Sequence, residues 1–229
     1  VPVASVEQTA VVASVVESFR WAVVVPVKEL GVAKTRLALP DDERSELALA
    51  MACDVVSATL ACAVVDGVVV VTNDLRAAAS LEPLGARVVA DFADAGLNPA
   101  LADGARLART LWPRHGVAAV ASDLPCLLPD ELADALGAAA AYDRCVLPDA
   151  RGDGTTLLTA APGHDLDPRY GAASFAAHVG SGARALPYER WPSLERDVDT
   201  PADLAAAVAL GVGPATARAL GSRAVEHES

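Results

Sequence analysis

A chain of 229 residues with 53% hydrophobic content can bury a sizeable core and most simply makes one α/β domain. Its net charge of -12, with no basic stripe and interleaved aromatics, argues against a nucleic-acid partner, and no apolar run reaches the length that crosses a membrane. A phosphate ligand on so acidic a chain needs local help from a few cations, oriented backbone N–H groups and a divalent metal.

Residues 1–20 lack the positive start and small-residue cleavage site of a secretory signal, and Glu7, Gln8 and Glu17 interrupt their apolar residues, so they read as a frayed extension. From Trp21 to Val25 the chain is continuously apolar, as a strand buried on both faces requires, and Pro26 ends it. The loop that follows has one glycine and three cations, Lys28, Lys34 and Arg36, where the carboxyl end of a first parallel strand opens onto a ligand crevice. Of the 18 Lys plus Arg residues only two are lysine, and both lie here. Compact ammonium groups suit polyphosphate oxygens; the other reading is an ordinary solvated basic loop.

Asp41 can cap a helix with Asp42 and Glu43 in its first turn and Leu47, Met51, Val55 and Val56 at helical spacing, running to about residue 63. Residues 68–72 form a second buried strand, 87–90 a shorter third, and 91–99 a loop into a helix over 100–111. A fourth strand, 117–121, ends in Ser122-Asp123-Leu124-Pro125. Strands at 145–147 and 156–159 flank a turn rich in Asp and Gly, and helical sequence returns at 174–179 and after Pro201. The alternation implies a mainly parallel, doubly wound sheet over residues 21–210, with ligands at strand carboxyl ends and 211–229 as a C-terminal tail. Cys53, Cys62, Cys126 and Cys145 show no Cys-x-x-Cys spacing, which suits reduced, buried thiols in a cytosolic protein.

Asp123 follows a buried strand, so its carboxylate sits at the crevice; a turn aspartate is the plainer reading. Asp197 and Asp199, two apart in an extended segment, point to one side, and together the three suit Mg2+. Asp199 or Thr200 can equally cap the last helix. Gly152 to Thr156 and Gly171 to Ser174 combine close backbone approach with hydroxyl donors, a pocket for an acceptor phosphate, although Gly154-Thr155-Thr156 also suits a hairpin turn. His115, His164, His178 and His227 form no metal spacing and read as incidental, with His178 at most lining the acceptor pocket.

Six segments occur in order: residues 25–37, Gly96-Leu97-Asn98, Ser122 to Pro125, Gly152 to Thr156, Gly171 to Phe175, and Asp197-Val198-Asp199-Thr200-Pro201. Together they resemble the guanylyltransferases that activate 2-phospho-L-lactate or phosphoenolpyruvate in biosynthesis of the deazaflavin coenzyme F-420. The resemblance covers residues 21–210 and implies an α/β, single-domain, Rossmann-like nucleotidyltransferase of the nucleotide-diphospho-sugar transferase type, a mainly parallel mixed sheet flanked by helices. It implies transfer of GMP from GTP to a small phosphorylated acid, with release of pyrophosphate. Phosphoenolpyruvate is preferred because the Ala- and Arg-rich, Lys-poor composition suggests the actinobacterial branch. A molybdopterin or sugar-phosphate nucleotidyltransferase is disfavoured by the single glycine in the first loop, and a non-catalytic nucleotide-binding protein by the full set of carboxylates. In the implied site Lys28, Lys34 and Arg36 stabilise the leaving pyrophosphate, Thr156, Gly171 and Ser174 contact the acid, and Asn98 lies beside the base or caps a helix. Asp123, Asp197 and Asp199 hold Mg2+ there, and the oligomeric state is left open.

Overall fold

The computed structural model describes residues 19–91 and 96–226; apart from Phe19 and Arg20, the segment read as an extension lies outside them. Seven strands, β1 (Trp21–Pro26), β2 (Val65–Val71), β3 (Arg87–Val89), β4 (Gly116–Val120), β5 (Arg144–Pro148), β6 (Thr155–Ala160) and β7 (Arg184–Ala185), form one sheet in the order β3-β2-β1-β4-β6-β5-β7. The pairs β1–β2, β1–β4, β2–β3 and β5–β7 are parallel, whereas β6 runs antiparallel to both β4 and β5, so the sheet is mixed.

The central strand explains the layering. Ala22 and Val24 pack with α3 (Leu97–Leu111), while Val23 and Val25 pack with α1 (Asp41–Ala61) and α4 (Pro129–Ala139) on the other face, the period-two alternation of a strand covered on both sides. α3 lies close to the sheet because residue 104 is glycine. A Cβ there would stand 2.6 Å from a Val24 methyl and 2.8 Å from a Val71 methyl.

A third apolar cluster, Leu37, Leu47, Met51, Cys126, Val198 and Ala207, lies beneath the loop that carries the lysines. It joins that loop to α1 and to α7 (Pro201–Leu210). The remaining helices are α2 (Leu75–Leu81), α5 (Ser174–Gly180), α6 (Pro192–Glu195) and α8 (Pro214–Glu226). α2 is capped by Asp74, whose side chain accepts from the N–H groups of Arg76 and Ala77. Asp41 does not cap α1 as the sequence suggests: it is the first helical residue, and its carboxylate takes a 2.8 Å bond from Arg44.

The packed chain also runs past Leu210, where the sequence reading ends the domain. Asp54, on the flank of α1, accepts from the N–H groups of Ala215 at 2.9 Å and Thr216 at 2.8 Å, satisfying two of the donors that a helix start leaves free. Gly213 permits this approach, since a Cβ there would meet the Asp54 side chain at 2.4 Å. Within the stretch read as a tail, Pro214–Glu226 is helical. Among the described residues no helix is long and apolar enough to cross a membrane.

Candidate active site

Parallel neighbours on both sides of β1 place a crevice at its carboxyl end, the usual ligand position in such sheets. Two cavities open there. The larger, about 520 Å3, is lined by Lys34, Asp123, Asp197, Asp199, Thr155 and Ser174 among others. The smaller, about 300 Å3, lies over the ends of β2 and β3 and includes Asn73, Asp91 and Gly96. Pro26, Val27, Lys28 and Leu97 line both, so the exposed Lys28 stands where they meet.

Asp123 sits in the turn after β4, and its carbonyl accepts from the Val198 N–H at 3.1 Å, pinning the 197–199 segment beside it. Val198 is buried in the third cluster, so the acids on either side of it turn to the cavity. One carboxylate oxygen from each of Asp123, Asp197 and Asp199 lies within 4.8 Å of the others. Lys34, held in the left-handed region at φ 57°, donates to Asp123 and, at 2.8 Å, to Asp199. Arg36 reaches Asp199 at 2.5 Å, and Arg151 reaches Asp199 at 3.3 Å and Asp197 at 3.5 Å. Thr200, not Asp199, caps α7, in a reciprocal box with Asp203.

Charge is unevenly met in this cluster. Burial, and then the neighbouring Asp123, Asp149 and Asp199, push the Asp197 carboxyl up to about 7. Burial opposes the Lys34 ammonium, yet Asp123 and Asp199 outweigh it and hold that group above its ordinary value. For Asp199, burial is outweighed by Lys34, Arg36 and Arg151, and its carboxyl is lowered. A cluster of oxygen donors with one member short of compensating charge fits a hard divalent cation.

On the opposite wall, residues 149–154 join the antiparallel β5 and β6 in a hairpin whose turn ends at Gly154, with Thr155 and Thr156 already in β6, and Asp149 and Gly154 line the cavity. Asp149 organises the turn: its Oδ1 accepts from the N–H groups of Arg151 at 3.1 Å, Gly152 at 2.8 Å and Asp153 at 3.2 Å. The Phe175 N–H donates to the Asp153 carbonyl at 3.1 Å, which ties this turn to α5. Gly171, with φ 145°, lines the cavity next to Ser174, and a Cβ on it would point into open space. The Thr156 hydroxyl is engaged with the Pro148 carbonyl at 3.3 Å.

Thr155, its neighbour, is the residue wired to Ser174, through a 3.0 Å bond between hydroxyls. It also bonds His178 Nδ1 at 3.0 Å. The backbone N–H of Arg169 donates to His178 Nε2 at 2.8 Å, so Nε2 is the acceptor and Nδ1 carries the proton that goes to Thr155. The Ser174 hydroxyl in turn donates to Thr155, so one chain of hydrogen bonds fixes both hydroxyls on the cavity wall. His178 is thus not incidental, since it orients the two hydroxyls.

The His178 ring is fully buried, and burial lowers its pKa to about 4, with Arg144 and Arg169 adding to the effect and Asp167 opposing it. The unfolded chain takes up a proton near the ordinary 6.5 that the folded chain refuses until about 4, so the stability contributed by the neutral ring is complete above 6.5 and is lost as pH falls through this window. Thermal unfolding followed against pH should show wild type losing stability between those values more steeply than His178→Asn; parallel curves would contradict it.

Asn98 departs from expectation. Its amide donates to the Tyr170 carbonyl at 2.9 Å and accepts from the Tyr170 N–H at 2.6 Å. Both ends are occupied in tying the loop before Gly171 to the start of α3, and the side chain lies outside both cavities of the crevice. The other expected residues, Lys28, Lys34, Arg36, Asp123, Asp197, Asp199, Thr156, Gly171 and Ser174, all line the larger cavity. Reasoning from sequence missed Thr155, Asp149 and Arg151; only the glycines around the latter two marked the turn.

Comparison with known proteins identifies relatives of the chain. A phosphoenolpyruvate guanylyltransferase of Thermomonospora curvata is 54% identical over 198 residues, covering 86% of this chain and 87% of the relative. One from Streptomyces coelicolor is 53% identical over 200 residues, covering 86% and 94%. Among solved structures, a nucleotidyl transferase from Methanothermobacter thermautotroptrophicus superposes with a TM-score of 0.58 at 20% identity, over 83% of this chain and 97% of that one, a likeness of fold. The 4-diphosphocytidyl-2C-methyl-D-erythritol synthase of Anaerococcus prevotii gives 0.53 at 9% identity, over 85% and 96%. The family described as "Guanylyl transferase CofC like" matches residues 21–223, spanning both walls of the crevice, and the chain belongs to that family.

Proposed function

We propose that the protein transfers GMP from GTP to phosphoenolpyruvate, as the names of its relatives state for them. The observation that carries the reading is the cluster of three carboxylates and three cations between a cavity roomy enough for a base and a wall of hydroxyl and glycine residues. The base occupies the smaller cavity, the triphosphate crosses Lys28 toward Lys34 and Arg36, and the acid's phosphate meets Ser174 and Gly171. A phosphate oxygen of the acid, ionised at neutral pH, attacks the α-phosphorus; the bond from that phosphorus to the bridging oxygen breaks and pyrophosphate leaves. No general base is needed, so positioning and charge neutralisation carry the rate.

Lys34 turns from Asp123 and Asp199 to the phosphates when nucleotide enters, and Arg36 and Arg151 remain to balance the acids. Asp123, Asp197 and Asp199 are the residues that would hold Mg2+, whose chemistry is to neutralise phosphoryl oxygens. The free thiols, three of them buried, suit the reducing cytoplasm.

Incubation with GTP, Mg2+ and either phosphoenolpyruvate or 2-phospho-L-lactate, followed by weighing of the products, tests the reaction. The guanylylated enolpyruvate is expected; a product only with the lactate, or with neither acid, overturns it. In the same assay Ser174→Ala loses one hydrogen bond to a charged oxygen and should weaken acid binding by about ten- to a hundredfold. Calorimetric titration should find GTP binding nearly unchanged in that variant; if GTP weakens and the acid does not, the two subsites are exchanged.

A further inference from the structure

The smaller cavity contains an unexplained group. Asp91 follows β3, and Asn73, at the end of β2, grips its backbone: the Asn73 amide donates to the Asp91 carbonyl at 3.2 Å, and the Asp91 N–H donates to Asn73 Oδ1 at 2.9 Å. Asp91 lines the cavity, and its Oδ1 is sealed from solvent without a hydrogen-bond partner. It is the one carboxylate oxygen in that state among the described residues. An acceptor-only group left unpaired out of water is costly, so its retention beside a cavity calls for a ligand that brings donors.

Nucleobases differ in what they bring. Guanine presents N1–H and its exocyclic amine side by side, two parallel donors that match a carboxylate. Adenine sets the N1 lone pair at the same place, against a negative charge. Rotation about the last side-chain bond of Asp91 brings its oxygens to the cavity face without moving the backbone that Asn73 holds. We propose that Asp91 is the specificity-determining residue for the nucleotide, reading the donor edge of guanine, with Asn73 as the positioning residue. This rests on the reading that the base of GTP occupies the smaller cavity. It assigns to Asp91 the contact with the base that Asn98, occupied by Tyr170, does not make.

The test is calorimetric titration of wild type, Asp91→Asn and Asp91→Ala with GTP, ITP and ATP in Mg2+, without the acid. Wild type should bind GTP best, ITP, which lacks the exocyclic amine, less well, and ATP weakest. Both variants should lose about ten- to a hundredfold for GTP, the discrimination of one bidentate pair, while ATP binding stays unchanged and reports that the site is folded. Asn73→Ala should give a smaller loss of the same preference. Wild type preferring GTP while Asp91→Ala keeps the full preference overturns the assignment of Asp91 alone. Wild type binding GTP and ATP equally overturns the donor assignment itself, and the role of Asp91 with it.

Discussion

Asp197→Asn should lower guanylyl transfer by about 10²–10³-fold, the range for removing one element of charge stabilisation from a reacting site, while raising the melting temperature of the metal-free protein. The two effects have one cause. The Asp197 carboxyl is pushed up to about 7 from an ordinary 3.8, chiefly by burial and then by three neighbouring acids. The folded form therefore keeps a proton that the unfolded chain gives up above 3.8, and stability drains away as pH rises from 3.8 to about 7. Above that window the ionised carboxylate is a net cost that Asn, of the same shape, removes. Thermal unfolding at pH 8 in chelator should rank the variant above wild type. Saturating Mg2+ should narrow or reverse the order, because only wild type keeps the full site and so gains most from binding. A variant that turns over normally, or melts lower in chelator, would refute the placement of Asp197. Asp123→Asn should match it in activity but not in stability, since Asp123 is already paired with Lys34.

Lys34→Met is expected to damage activity on the same scale and to move stability the other way. The ammonium is largely buried and is shared between Asp123 and Asp199, which hold its pKa above 10.5. Its stabilising effect is complete below that ordinary value and is lost only as pH rises through the higher folded one, so it is fully present at neutral pH. Removing one partner of a buried pair leaves the other uncompensated, a cost of about 3–5 kcal/mol when the pair is fully buried and less in a crevice open to water. The melting temperature should fall, and Lys34→Met with Asp199→Asn should regain part of it without regaining turnover, a coupling that a double-mutant cycle measures. The Michaelis constant for GTP should rise more than that for phosphoenolpyruvate. Additive stability losses in the cycle would deny the pairing.

Strands were legible where burial on both faces demands a continuous apolar run, as in β1 and β2, and the acids after them followed from the general position of ligands in parallel sheets. The alternation of Asp197, Val198 and Asp199 was legible too, because an extended segment leaves only two directions. The antiparallel insertion of β6 between β4 and β5 was not, since the Asp- and Gly-rich turn marks a hairpin but says nothing of the order of its neighbours. α4 carries the signals of a helix start, a proline followed by Asp130 and Glu131. His178 and Asn98 were opaque for a different reason. Asn98 is defined by the backbone of Tyr170, and His178 by the Arg169 N–H and the Thr155 hydroxyl, and a side chain's type and spacing do not reveal such partners. Arg151 and Asp149 carry no mark of their roles in the sequence; only the fold brings Arg151 against Asp197 and Asp199.

The third apolar cluster has an evolutionary consequence. Leu37 adjoins Arg36, Cys126 ends the turn that begins with Asp123, and Val198 separates the two acids, so three catalytic segments from remote parts of the chain stand on one packed footing. A change of volume under any of them tilts the charges above the others, and well-packed cores absorb such changes poorly. Descendants of this sequence should therefore diverge here by compensated exchanges, Val198 shrinking as Leu37 or Met51 grows, and each step acceptable only on the right background.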